Sequence, residues 1–310
     1  MIKYQLRLHG PRLSGPRISG GLLREVMDVL TEGARGALRL RVEGRSFARG
    51  TPPAWLAAAA DFDLVGLEEG STVLVLEASP LFEAAPGAIA QTDFFQPLDP
   101  DVGALSLVME SLEDAITGAE DSELFDNALL ERFGHLSRVF ARGVDRLELT
   151  NGRPGGRTVT LEPERLETMR RLRREMPPDQ QVRVAGWLDQ IRHSDRMFTL
   201  QLESGPLLRG IAEAVDPGKL ANLWGKKAVV SAVAVFRPSG KVLRLEADDI
   251  SPAGDDFSLW SVEPKPLFEE ASVALLRQPQ GPRSGINLII GQWPGNEPDE
   301  EVAAALEELS

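Results

Sequence analysis

The residues of this sequence with the most evident chemistry are a tryptophan and several cations near the middle of the chain. Strand-like alternation from residue 182 onward places Arg183 and Trp187 on the outer side of a strand. An outward aromatic ring among cations is what stacking on single-stranded nucleic acid requires. The full candidate set is Arg183, Trp187, Arg192, Arg196, Arg209, Arg237 and Lys241. The positive field is interrupted by Asp189, Asp195 and Glu203, so a structural or protein-contact role for Trp187 is the favoured alternative.

Residues suited to catalysis or metal binding do not form a recognisable constellation. The acidic pairs at 248–249 and 255–256 have no histidine, nucleophile elbow or metal-ligand spacing beside them. The three histidines are far apart, and the chain has no cysteine, which excludes disulfides, thiolate metal sites and cysteine nucleophiles. We therefore expect a protein that is not an enzyme and that holds no metal and no cofactor.

The bulk composition is typical of a globular protein with an acidic balance. The chain has 310 residues, 42% hydrophobic content and a net charge of −13. Such a charge disfavours general attraction to DNA or to anionic membranes. No apolar run approaches the roughly 18 to 20 residues that a membrane span needs. We expect a cytoplasmic protein with no membrane contact.

The region 179–252 has the most regular pattern of secondary structure. Three strand-like runs, a short helix that Asp216 can cap, and two further strands joined by a tight turn follow one another; they span 182–188, 197–202, 207–212, 216–225, 228–236 and 241–248. This order resembles the five-stranded OB barrel, in which strands 2 and 3 and two rim loops usually form the ligand face. The resemblance implies a fold and not a function, because such barrels bind nucleic acids, sugars and proteins alike.

The remaining segments predict a multi-domain α+β protein. Residues 1–85 read as a small α+β domain, with a helix around 22–30, a second strand at 37–42 and a later hairpin. Residues 86–143 are predicted to be a linker and a helical hairpin, and 144–178 a β-hairpin and a basic helix. Residues 253–310 are predicted to be an extended acidic tail that ends in a short helix.

The predicted terminal helix carries one apolar stripe, formed by Val302, Leu306 and Leu309. Acidic residues in its first turn, including Asp299, suit the helix dipole. A helix of about eleven residues is not stable alone in water, so the stripe must pack against something. The packing partner is either the body of this protein or another chain.

The residues before this helix carry a second resemblance. The run Trp293-Pro294-Gly295-Asn296-Glu297-Pro298-Asp299-Glu300-Glu301 resembles the tail of bacterial antitoxin-type proteins encoded beside PIN-domain toxins. The resemblance implies a C-terminal segment that wraps a small Mg-dependent ribonuclease. The chain departs from that pattern in having no arginine after Arg283 that could enter an acidic catalytic pocket, and no evident DNA-binding domain at its N-terminus.

Together these observations predict a non-catalytic protein-binding module, an antitoxin or inhibitor of a small toxin such as a PIN-domain ribonuclease. The partner-binding residues are predicted to be Trp293, Pro294, Asn296, Glu297, Asp299, Val302, Leu306 and Leu309. The alternative is a single-stranded nucleic-acid-binding protein that uses the cations and Trp187 of the barrel.

Overall fold

The computed structural model describes residues 1–68, 72–89, 98–152, 156–192, 196–203, 205–254 and 257–267. The mixed α+β class predicted from the sequence is confirmed. The predicted tail residues, from Trp293 to Leu309, lie outside the described residues, as do His193 and the acidic pair at 255–256.

The first sheet belongs to what we call the N-terminal lobe, residues 2–175. Its strands are β1 (Ile2–His9), β2 (Phe62–Glu68), β3 (Thr72–Ala78), β4 (Arg146–Asn151) and β5 (Thr158–Leu161). They pair antiparallel in the order β2-β3-β1-β4-β5. The helices of this lobe are α1 (Gly20–Glu43), α2 (Ala54–Ala59), α3 (Leu81–Ala84), α4 (Pro86–Ile89), α5 (Ala104–Thr117), α6 (Asn127–Gly134), α7 (Leu136–Phe140) and α8 (Arg165–Glu175).

One apolar core joins the whole N-terminal lobe. Tyr4, Leu6 and Leu8 alternate inward along β1 and are fully buried, and the core extends through Phe133 to Leu172 of α8. The segments 1–85, 86–143 and 144–178, which the sequence predicted as three regions, therefore share one core. Local patterns do not reveal this, because β1 pairs with β4 some 140 residues later in the chain.

The second strand predicted at 37–42 is wrong, because these residues continue α1. The helix begins at the cap residue Ser19, whose side chain accepts a hydrogen bond from Leu22 N, and it ends at Gly44. Gly33 and Gly36 lie where α1 meets α5 and α6. A Cβ at Gly36 would be 2.9 Å from a methyl carbon of Leu129, and one at Gly33 would be 3.3 Å from the Phe133 ring. These glycines permit close helix packing.

The second sheet is the region we call the barrel, residues 180–252. Its strands are β6 (Gln180–Arg192), β7 (Met197–Gln201), β8 (Leu207–Ile211), β9 (Lys227–Phe236) and β10 (Val242–Pro252), with α9 (Pro217–Leu223) between β8 and β9. The strands pair in a closed ring, β10-β8-β7-β6-β9. Only β8 and β10 pair in parallel among the described strands. A last short helix, α10 (Phe257–Trp260), follows the barrel.

Strand alternation in the sequence assigns seven residues to the barrel core, and most of them lie there. The seven are Val182, Val184, Leu188, Phe198, Leu200, Leu243 and Leu245. Val184, Leu188, Phe198, Leu200 and Leu245 are buried inside the ring as expected. Val182 is half-buried and packs against the same core. Leu243 is half-buried and does not join this core, because the pairing of β10 with β9 shifts register between Val242 and Arg244.

Candidate binding surfaces

Trp187 points away from the barrel core, as predicted, but it is half-buried and not open for stacking. Phe257 of α10 packs edge-on against its ring, with ring centroids 5.4 Å apart and an angle of 72° between the planes. Lys227 Nζ lies 4.8 Å from the Trp187 ring centroid. Phe257 lies 70 residues after Trp187 in the chain, so the strand pattern could not predict this cover.

Three of the predicted cations near β6 make contacts within the protein. The exposed Arg183 lies over the ring of Trp260, 5.7 Å from its centroid. Arg192 donates hydrogen bonds to the carbonyl oxygen of Val42, in the N-terminal lobe, and to Met197 Sδ. Arg196 donates to the carbonyl oxygen of Glu213 at 2.6 Å.

The other three predicted cations pair with carboxylates of the N-terminal lobe. Arg209 and Arg237 contact the two oxygens of Glu123, at 3.3 Å and 2.6 Å. Lys241 Nζ lies 2.8 Å from Asp121 Oδ2, and this hydrogen bond lowers the pKa of the Asp121 carboxyl group. Arg209, Arg237 and Lys241 therefore help to join the barrel to the N-terminal lobe, and we refer to these two regions together as the two lobes.

One end of the outer face of β7 and β8 is covered by the end of α1. Gly44, which ends α1 with a positive φ of 75°, lies close to this face, since a Cβ added there would be 3.2 Å from Met197 Cε. Ile211 on this face is buried and Met197 is half-buried. The protein itself thus occupies one end of the face that the OB resemblance assigns to ligands, while Gln201 at the other end is exposed.

A small polar cavity remains between the two lobes, with a volume of about 50 Å³. Arg41 of α1, Glu123, Arg209 and Arg244 are among its lining residues. Burial lowers the pKa of the Arg41 guanidinium, and the neighbouring Glu110, whose Oε2 accepts its hydrogen bond at 2.9 Å, acts in the opposite direction. The cavity is small enough for one or two water molecules and offers little room for an organic ligand.

Asp126 is the most buried acidic residue at this contact. It caps α6 by accepting a hydrogen bond from Leu129 N at 3.0 Å, and it also accepts from Ser46 N at 3.0 Å and from the Ser46 hydroxyl group. Arg244 of β10 lies 3.2 Å from the same carboxylate. One side chain thus positions α6, the chain after α1, and the barrel.

The most open cavity at the barrel lies between the end of β6 and α9, with a volume of about 370 Å³. Its apolar lining includes Ile191, Val215, Pro217, Leu220 and Trp224, and Asp189 and Arg196 lie at its rim. The Trp224 side chain is 65% exposed, and its indole N–H donates to the carbonyl oxygen of Asp189 at 2.9 Å. The hydrogen bond fixes the orientation of the Trp224 ring, while the ring remains exposed beside an apolar groove. Such a surface is suited to receive apolar side chains of a partner.

Catalytic and metal-binding arrangements are not evident in the part of the chain that the structure describes. Asp248 accepts a hydrogen bond from Gln181 and Asp249 pairs with Lys219, so these acids make ordinary surface contacts. No group of three or more potential metal ligands was found among the described residues. The described helices are also all too short or too polar to cross a membrane.

The fold and its contacts define a two-lobed α+β protein with a closed five-stranded barrel and an open apolar groove beside Trp224. Comparisons with models of protein families, with curated proteins and with solved structures returned no match.

Proposed function

We propose that this protein is a non-catalytic protein-binding module, built on an OB-type barrel, that binds a partner through its acidic C-terminal segment and through the groove beside Trp224. The partner we propose is a small PIN-domain ribonuclease, for which the protein acts as antitoxin or inhibitor.

The strand order supports the OB-type assignment of the barrel. The ring runs from the first strand of the barrel to the second, third, fifth and fourth, and the third and fifth strands pair in parallel. This is a Greek-key order, and α9 lies between the third and fourth strands. The barrel is a binding scaffold in many proteins, so it is compatible with a binding function without defining the ligand.

The groove beside Trp224 is the observation that carries the proposal of protein binding. Protein interfaces draw much of their affinity from a few aromatic and apolar anchors in well-packed pockets. Trp224 offers such a ring, and the half-buried Ile191 and the exposed Pro217 and Ala221 supply apolar surface next to it. Binding of nucleic acid at the usual barrel face is less favoured in this arrangement, because Arg209, Arg237 and Lys241 contact carboxylates of the same protein.

The choice of partner rests on the resemblance of the C-terminal segment to antitoxin tails. Residues 268–310 contain eight carboxylate side chains and two arginines. Electrostatic attraction would therefore guide this segment toward a basic surface of the partner. Trp293 is the proposed anchor, and Val302, Leu306 and Leu309 are the proposed apolar contacts of the terminal helix. The carboxylates do not themselves account for affinity, which we assign to the apolar residues.

The proposal predicts that a PIN-domain ribonuclease is encoded beside this gene, and it is tested by co-expressing the full chain with that ribonuclease and by measuring complex formation and ribonuclease activity. We expect a stable complex in which the ribonuclease is inhibited. The double variant Trp293→Ala/Leu306→Ala and the single variant Trp224→Ala should each weaken binding at least about tenfold, the usual effect of losing an interface anchor. Leu64→Ala, which removes a partly exposed apolar side chain from β2 of the other lobe, is the matched control.

Each binding surface can fail separately in this experiment. Unchanged affinity of the Trp224 variant would remove the groove from the interface, and unchanged affinity of the tail variant would remove the tail. A protein that forms no complex with the ribonuclease contradicts the proposed antitoxin function.

A further inference from the structure

A row of cations crosses the barrel where it meets the N-terminal lobe. Arg209 on β8 and Arg244 on β10 are side by side, because Gly210 and Leu245, which follow them, are paired residues of the two strands. Arg237 and Lys241 flank the turn between β9 and β10. We call these four residues the basic strip.

The basic strip is covered by one short acidic segment of the N-terminal lobe, residues 120–126. Asp121 pairs with Lys241, Glu123 with Arg237 and Arg209, and Asp126 with Arg244. The backbone contributes as well, since Arg237 donates to the carbonyl oxygen of Asp121 at 2.9 Å. The carboxylates follow the same order as the cations, as a chain of phosphates would.

The acidic segment is also held in place by contacts within its own lobe, in addition to those with the barrel. Ser122 Oγ donates to Asp114 Oδ2 of α5 at 2.6 Å, and Ser111 Oγ of α5 donates to the carbonyl oxygen of Leu124 at 2.6 Å. Asp126 caps α6. The segment therefore presents its carboxylates to the barrel in a fixed arrangement.

Burial divides the basic strip into two parts. Among the carboxylates, Asp121 and Glu123 are 57% and 32% exposed, whereas Asp126 is 4% exposed; the cations Lys241, Arg209, Arg237 and Arg244 are 58%, 29%, 17% and 12% exposed. Exposed ion pairs are weak and screened by water, whereas a buried pair is costly to break. Another anion can thus replace the partly exposed carboxylates of Asp121 and Glu123, while the buried pair of Arg244 and Asp126 keeps the N-terminal lobe on the barrel.

We propose that single-stranded nucleic acid binds the outer part of the basic strip, and that the acidic segment suppresses this binding by occupying the same cations. A flexible single strand can bring successive phosphates to cations on different strands of the barrel. A rigid duplex cannot follow a strip that lies beside another lobe. This activity goes beyond the proposed protein-binding function and needs neither the groove nor residues 268–310.

The test uses the full chain and a fluorescein-labelled 20-nucleotide oligo-dT, with binding measured by fluorescence anisotropy. We expect Asp121→Asn/Glu123→Gln, which keeps the shapes of both side chains, to bind at least about tenfold more tightly than the wild-type chain at 50 mM NaCl. Glu162→Gln/Glu164→Gln changes the net charge equally on exposed residues before α8 and should change affinity less than threefold. With about three phosphate contacts, the affinity gained should fall with a logarithmic salt slope of about −2.

A second pair of substitutions assigns the gain to the strip. Adding Arg237→Gln and Lys241→Gln to the first variant should return binding to the wild-type level. The proposal is overturned if the first variant gains no more than the control, if its gain survives loss of the two cations, or if a 20-base-pair duplex binds it as tightly.

Folding of the variants is checked by thermal melting. Should the double variant melt at room temperature, Asp121→Asn alone supplies the test, because its exposed pair contributes little stability. It should gain at least about threefold over Glu162→Gln, and an equal affinity of the two would overturn the proposal. Loss of the toxin interaction in the earlier experiment leaves this result unaffected, so the two proposals fail separately.

Discussion

The interior of each lobe and the contact between the lobes differ in the residues that form them. Phe133 in the N-terminal lobe and Phe198 in the barrel are completely or almost completely buried among apolar side chains. The contact between the lobes depends instead on ion pairs such as Arg45 with Glu213 and Arg237 with Glu123, most of them partly exposed. Apolar burial therefore stabilises each lobe, whereas charge specifies how the lobes meet. The lobe contact should be the more sensitive of the two to salt and pH.

The largest expected effect comes from the core of the N-terminal lobe. Phe133→Ala leaves a cavity between α6 and α1, where the Phe133 ring faces Gly33. We expect the free energy of unfolding to fall by about 3 to 5 kcal/mol, the usual cost of removing a buried phenylalanine. Denaturant unfolding measures this change. Phe47→Ala, at a ring that is about half exposed and lies near Arg132, is the control and should cost less than about 1 kcal/mol. Similar losses for the two variants would break the distinction between core and surface.

The sequence predicted the interior of the barrel better than the surface between the lobes. Alternation located Val184, Leu188 and Phe198 in the core because a strand with one buried side has a strict period of two. The alternation failed at Leu243, because the register of β10 against β9 shifts between Val242 and Arg244 and turns the Leu243 side chain outward. A local pattern contains no sign of such a step.

The candidate site residues show the same limit. Arg209 was predicted to bind nucleic acid because strand alternation places it outward, and Arg237 and Lys241 because they lie in a rim loop of the barrel. Their partners, Asp121 and Glu123, lie about 85 to 120 residues earlier, in the region 86–143 predicted as a linker and a helical hairpin, and were not considered as partners. The groove beside Trp224 was also missed. Its one signal was a tryptophan at the end of a short, capped helix, where α9 has too few residues to bury it.

The buried part of the lobe contact should show an intermediate effect. Asp126→Ala removes the cap of α6, leaves Ser46 N without its acceptor and deprives Arg244 of a partner. We expect a loss of about 2 to 3 kcal/mol, less than for a fully isolated buried charge because Glu246 still contacts Arg244 at 2.9 Å. Denaturant unfolding of the full chain measures it. Asp114→Ala, which loses a hydrogen bond to Ser122 but no contact with the barrel, is the comparison variant and should cost less. If it costs as much, the effect arises from the acidic segment and not from the lobe contact.

The smallest expected effect lies at the exposed pair of Arg45 and Glu213, where pH provides the test. The hydrogen bond from Arg45 lowers the pKa of the Glu213 carboxyl group in the folded protein. A carboxyl group with a lowered folded pKa stabilises the protein above its unfolded pKa of about 4.3, and this contribution disappears as the pH falls through the folded pKa. Glu213 is 57% exposed, so solvent limits its contribution to at most about 1 kcal/mol. The thermal midpoint of Glu213→Gln should therefore lie slightly below that of the wild-type chain at pH 7, and the two should converge as the pH falls through the lowered folded pKa. The difference at pH 7 should also shrink in 0.5 M NaCl, because salt screens exposed charges. If the difference in thermal midpoint persisted at low pH and high salt, Glu213 would act through packing and not through its charge. The contact between the lobes would then be stabilised in the same way as the apolar cores of the two lobes.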